Sequence, residues 1–297
     1  MAYLDIDNLY KNQDILLFKE CYCLEKIHGT SAHIAWKDNQ VRFFSGGAKH
    51  ENFVALFDVD FLKGEFEKTG LLEVVIYGEA YGGKEQGMKA TYGDKLRFVV
   101  FDVKIGHSWL DVPKAESFVC PFGLELVHYV KTSTKLEDLD AQRDAPSVQA
   151  VRNGMGESTD RKGFCPPIRE GVILRPLIEV RKNNNARIIA KHKREEFSET
   201  NTVRSVNPEK LKVLDKAKEI ASEWVTEQRL TNILSHIKEE DRQMENAGEI
   251  IKLMVEDIER EGKDEIDWSK DARKAISRET ALMFKNRLKA EFVKNND

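Results

Sequence analysis

The chain has 297 residues, of which 41% are hydrophobic and 33% charged, with a formal net charge of −4. That length holds one large domain or two ordinary ones with a buried core, and no apolar run reaches the ~18 residues that a membrane span needs. The slight acidity weakens a general electrostatic grip on nucleic acid and leaves a local basic groove open. The start, "MAYLDIDNLYKNQD", lacks the apolar stretch of a signal peptide, so a cytoplasmic protein without membrane contact is expected. Cys21, Cys23, Cys120 and Cys165 show no zinc-site spacing and read as reduced, structural thiols.

In chain order, "SAHIAWKDNQVRFFSGG" reads as two strands around a turn at Lys37 to Gln40. "ENFVALFDVDFLKGEFEKTG" reads as a helix ending at Gly70. "LLEVVIYGEAYGG" and "KLRFVVFDVKIG" are β-branched and aromatic runs bounded by glycine, the pattern of buried strands. "RNGMGESTDRKGFCPP" is a loop by composition, and "EGVILRPLIEV" and "ARIIAKHK" are two further strands. From Asn207 the period changes to that of amphipathic helices, opened by Pro208 and Glu209. Residues 1–203 and 207–297 are therefore two domains, joined through the polar stretch "TNTVRSVN".

Chemistry centres on "LEKIHGTSAHIAW", where Lys26 stands before Ile27, His28 and Gly29. A lysine attacks phosphorus only as the neutral amine, a form that neighbouring cations or desolvation favour. Lys191 and Lys193 alternate in "AKHK" and share one face of a strand, where they supply such cations or hold a phosphate. The glycine-rich "YGGKEQG" lacks the spacing of a P-loop.

Six short elements follow one another: "EKIHGT", "FFSGG", "YGEAYGG", "FVVFDV", "EGVILRP" and "AKHK". This order resembles the covalent nucleotidyltransferase superfamily of ATP-dependent ligases and capping enzymes. "EKIHGT" is most similar to the RNA ligase 2 group of double-stranded RNA ligases. The resemblance implies an α+β protein. Its nucleotidyltransferase (ATP-grasp-like ligase) domain has antiparallel sheets with flanking helices, and a small all-α C-terminal domain follows. It implies an ATP-dependent RNA ligase that works through lysyl-AMP on Lys26, with RNA as partner, nicked duplex RNA in particular, and a monomeric protein.

By the same resemblance Glu25, Ile27, His28 and Gly29 lie around the nucleotide, Phe101 stacks on adenine, and Lys191 and Lys193 grip the α-phosphate. Glu79 reaches the ribose or a metal, and Glu170 a metal, with Mg²⁺ (or Mn²⁺) as the ion that carboxylates and phosphates suit. The chain departs from the pattern where the family usually has an arginine before Ser45-Gly46, since Phe44 stands there. Arg42 or Lys49 is the candidate substitute, and Arg175 the candidate for a β- or γ-phosphate. The alternatives are a DNA ligase or capping-type enzyme, and a non-catalytic RNA-binding protein on the same scaffold.

Overall fold

The structure, a computed structural model, describes residues 3–155, 167–182, 184–197, 205–263 and 265–294. Cys165, most of the glycine-rich loop (156–166) and the linker residues 200–204 lie outside the described residues. The chain divides into two compact units. The first takes the described residues of 1–9, 20–179 and 189–203, and the second those of 10–19, 180–188 and 204–297.

The strands of the first unit are β1 (Glu20–Lys26), β2 (Thr30–Lys37), β3 (Gln40–Ser45), β4 (Glu73–Tyr81), β5 (Arg97–Ile105), β6 (Ser108–Trp109), β7 (Tyr129–Ser133), β8 (Gly171–Pro176) and β9 (Ala190–Lys193). Its helices are α1 (His50–Val54), α2 (Val59–Thr69), α3 (Lys89–Tyr92), α4 (Val112–Val119), α5 (Leu136–Asp144) and α6 (Val148–Arg152). The strands form two antiparallel sheets, one in the order β7-β1-β8-β9 and the other β3-β2-β4-β5-β6.

The β2–β3 hairpin turns at Asp38 and Asn39, both with positive φ, which matches the twist of the flanking strands. The segment expected to be one helix is two. The Asp58 side chain accepts from the Phe61 N–H and starts α2 afresh, and Gly70 closes it in the left-handed conformation. Residues 106–151, given no element from sequence, hold β6, α4, β7, α5 and α6. Their apolar residues are too few per element for a clear period. The core of this unit includes Ile34, Trp36, Phe66, Ile76 and Val99, with Trp36 stacked on Phe66 at 5.4 Å and donating its indole N–H to the Leu71 carbonyl.

The second unit contains α7 (Pro208–Trp224), α8 (Glu227–Ser235), α9 (Ala247–Glu261) and α10 (Lys270–Lys294). Asn207 caps α7 by accepting from the Glu209 N–H, with Pro208 at the first helical position. A short 3-10 turn at Asp14–Leu17 packs against α7 and α10 and buries Ile15, Leu16, Leu17 and Phe18. Asp14 is ion-paired there with Lys182 at 2.5 Å and Arg278 at 2.9 Å. Among the described residues no helix is long and apolar enough to cross a membrane.

Candidate active site

Strand register builds the site. Lys26 at the end of β1 lies opposite Gly171 of β8, and Gly171 lies opposite Lys193 of β9. Three sequence-distant positions thus form one row across the sheet. A Cβ on Gly171 would stand 2.2 Å from the His192 carbonyl oxygen, so only glycine lets β9 close on β8 here. The next residue back, Glu170, projects into the row.

Glu170 is 1% exposed and gathers two lysines and a histidine. Its Oε2 meets Lys26 Nζ at 2.9 Å and His28 Nδ1 at 3.0 Å, and its Oε1 meets Lys193 Nζ at 2.9 Å. Burial pushes its pKa up, but the contacts with His28, Lys26 and Lys193 outweigh that and hold it at about 2. It is therefore an anionic clamp rather than a base. Glu79 of β4 behaves oppositely. Burial raises its pKa to about 7, against the attraction of Lys26, and the Glu170 charge adds to the rise. Its Oε1 accepts the Gly29 N–H at 3.0 Å. A Cβ on Gly29 would come within 2.4 Å of the Ala80 carbonyl oxygen, which explains the glycine directly after His28.

Beside this cluster lies a pocket of about 200 Å³. Of the expected residues, Glu25, Lys26, Ile27, Glu79, Phe101 and Arg175 line it. Lys193 and His28 reach the site through Glu170. Lys191 sits one pleat along from Lys193, opposite Ile173 of the pocket wall, and pairs with Asp5 at 3.6 Å.

Three of the expected residues have protein partners of their own here. Glu25 lines the pocket, yet its carboxylate is committed to the start of α6, accepting from Ser147 Oγ and the Val148 and Gln149 N–H groups. Arg175 is 2% exposed and held by Asp102 at 3.0 Å, Glu179 at 3.1 Å and the Leu110 carbonyl. Two carboxylates already neutralise it, so this geometry does not offer it to a phosphate. Arg42 is 57% exposed on β3, paired with Asp38, and is absent from the pocket lining.

The pocket wall that the sequence reading missed is the N-terminal segment. Tyr3, Leu4 and Ile6 line the pocket, and residues 7–9 pair with Lys191 on β9. The Tyr3 ring meets Phe101 edge-on at 4.8 Å and its hydroxyl donates to Asp102. No periodicity in "AYLDID" signals that placement. Ile173, also in the lining, was not singled out either, because the continuous apolar run Val172–Ile173–Leu174 does not show which side chain faces the pocket. A larger hollow of about 620 Å³ on α8 and α9 holds arginines paired with their own carboxylates, Arg229 with Asp257 and Glu261 among them. It contains no nucleophile set like that of Lys26.

The model of the family described as RNA ligase matches residues 19–193, more than half of the chain. The chain belongs to the RNA ligase family. The matched span begins just before β1 and ends at Lys193, so it encloses the whole Lys26–Glu170–Lys193 row. A search of curated proteins finds no match.

Among solved structures, the chain is similar to a Naegleria gruberi RNA ligase variant solved with ATP and Mn, at 14% identity and a TM-score of 0.46. It is similar to a second variant of that ligase with AMP and Mn, at 14% identity and 0.46, and to the same ligase with PPi, at 16% identity and 0.46. In each case the likeness covers 66% of this chain and 57% of the other. The chain thus spans less than two thirds of that ligase's length.

Among the described residues no three His, Cys, Asp or Glu side chains converge as a metal site by themselves. The donor chemistry fits an ion held jointly with a substrate. Mg²⁺ commonly takes one or two carboxylates plus phosphate oxygens and water, and Glu79 is a carboxylate at the pocket. Glu170 fits less well as it stands, since both its oxygens face cations.

Proposed function

We propose that this RNA ligase is ATP-dependent and joins 5′-phosphate to 3′-hydroxyl RNA ends through a lysyl-AMP on Lys26. The carrying observation is the Lys26–Glu170–Lys193 cluster beside a pocket whose lining includes the aromatic rings of Phe101 and Tyr3. Lys26 Nζ, once its ammonium proton has passed to solvent water, attacks the α-phosphorus. The bond to the β-phosphate oxygen breaks and pyrophosphate leaves. AMP then passes to an RNA 5′-phosphate, and a 3′-hydroxyl attacks that activated end and frees AMP.

Glu170 aims the Lys26 amine before ATP arrives and keeps Lys193 beside it. With phosphate present, Lys193 and Lys191 turn to its oxygens and neutralise the charge that develops there. Phe101 offers a ring to adenine, a contact worth about 1–3 kcal/mol. Glu79, with Glu170 when its lysines engage phosphate, would hold Mg²⁺ or Mn²⁺. When bound, the ion neutralises the phosphates and orients pyrophosphate as leaving group.

The reading favours nicked duplex RNA, with a monomeric ligase acting in the cytoplasm. The test is incubation with labelled ATP and, separately, GTP, read on a denaturing gel, followed by sealing of matched nicked and single-stranded RNAs. An acid-labile label from ATP alone, and faster sealing of nicks, are expected. Labelling from GTP, or no label, overturns the reading.

A further inference from the structure

One face of the β3-β2-β4-β5 sheet carries aromatic rings in register across its strands. Phe44 of β3 lies opposite His33 of β2, and His33 lies opposite Tyr77 of β4. Phe44 and His33 are stacked, with centroids 5.0 Å apart and planes 21° from parallel. His33 meets Tyr77 at 5.6 Å, Tyr77 meets Tyr3 at 5.0 Å, and Tyr3 meets Phe101 at 4.8 Å. The row therefore runs from the pocket wall to the outer strand. Its inner part is covered by Tyr3 and Trp109, whereas Phe44 is 46% exposed.

Ser31, two residues before His33 on β2, lines the pocket. Two residues of strand span about 7 Å, about two stacked-base steps. In the adjoining register row, Arg42 and Lys104 stand at the two ends with Ala35 and Val75 between them. The Arg42–Asp38 pair is long, at 3.5 Å, and exposed, so it restrains the guanidinium little. An exposed ring backed by a second parallel ring, with an arginine beside it, matches a nucleotide: a flat base and its phosphate. It matches a second copy of this chain poorly, since one half-exposed ring offers too little area for a stable dimer.

Resting on the RNA-ligase reading, we propose that the Phe44–His33 stack is a base-binding platform for one unstacked nucleotide of the RNA, near its activated end, with Arg42 meeting the phosphate. Burial holds the His33 imidazole down at about 4, so a neutral ring backs Phe44 at working pH.

The test uses the full chain and short 5′-phosphorylated oligoribonucleotides carrying 2-aminopurine at successive positions from the 5′ end. Strong quenching at one position is expected. It should be lost in Phe44→Leu and kept in Phe44→Trp, and the leucine variant should bind RNA about 5- to 100-fold more weakly. Phe44 is half exposed, so neither variant threatens folding. Equal quenching at every position, or unchanged RNA binding by Phe44→Leu, overturns the proposal. A matching fall in lysyl-AMP formation overturns it too, by assigning the ring to ATP, and so does a dimer that dissociates in the variant. Position-specific quenching by a wild-type chain that forms no lysyl-AMP would support the platform while sinking the ligase chemistry.

Discussion

Lys26 and Glu170 are 144 residues apart in sequence, and their side chains meet at 2.9 Å. The contact is made because β1 pairs with β8 from Cys21–Pro176 to Lys26–Gly171, which brings the last residue of one strand beside the entry to the other.

The first prediction is about the lysine. Lys26→Ala should form no protein–AMP, yet still join RNA that already carries a 5′-AMP, because the first two steps are bypassed. Mass spectrometry that finds AMP on another lysine of the wild-type protein would show the nucleophile to be misassigned.

The clamp has its own signature. Glu170→Gln keeps the shape and removes the charge that collects Lys26, His28 and Lys193. Lysyl-AMP formation should fall about 100- to 1000-fold, as should that of Lys193→Ala. Single-turnover labelling measures both. Rates within a few fold of wild type would leave the cluster with no catalytic part.

Arg175 is expected to matter for folding. Arg175→Ala strands Asp102, which is fully buried, and Glu179 without their cation. A loss of about 3–5 kcal/mol in urea unfolding is expected. A variant as stable as wild type that binds ATP poorly would instead restore the phosphate role expected from sequence.

Asp14 supplies the pH dependence. Burial raises its pKa, but Lys182 and Arg278 lower it further, from 3.8 to about 2. Its ion pairs therefore stabilise the fold above about pH 4, and that contribution is lost as the pH falls through 2. Asp14→Asn should cost about 1–2 kcal/mol at neutral pH after solvent screening, with the gap to wild type closing at acid pH. Thermal melts across that window decide it. Parallel curves for the two proteins would refute the assignment.

Cutting the chain at Val206 should not yield a well-behaved catalytic fragment. The turn at Asp14–Leu17 is covered by α7 and α10, so removal of those helices bares Ile15, Leu16, Leu17 and Phe18. Aggregation, or gain of dye binding, is expected from residues 1–206. A soluble fragment with wild-type lysyl-AMP formation would show that the turn needs no cover.

Much of the site was legible in local sequence. Lys26 before Gly29, the alternation of Lys191 and Lys193, and the glycine-bounded runs of β4 and β5 each depend on neighbours a few residues apart. Strand period and glycine sterics act at that range, so residue order alone carries them. Other features depend on groups far apart in the chain. Glu25 turns to α6, which lies over 120 residues away, and Arg175 turns to Asp102, 73 residues away. Tyr3 reaches Phe101 across the pocket, and Asp14 joins the C-terminal helices through Arg278. Which partner wins a buried charge or ring is decided by desolvation and close packing, and both exist only once distant strands and helices have met.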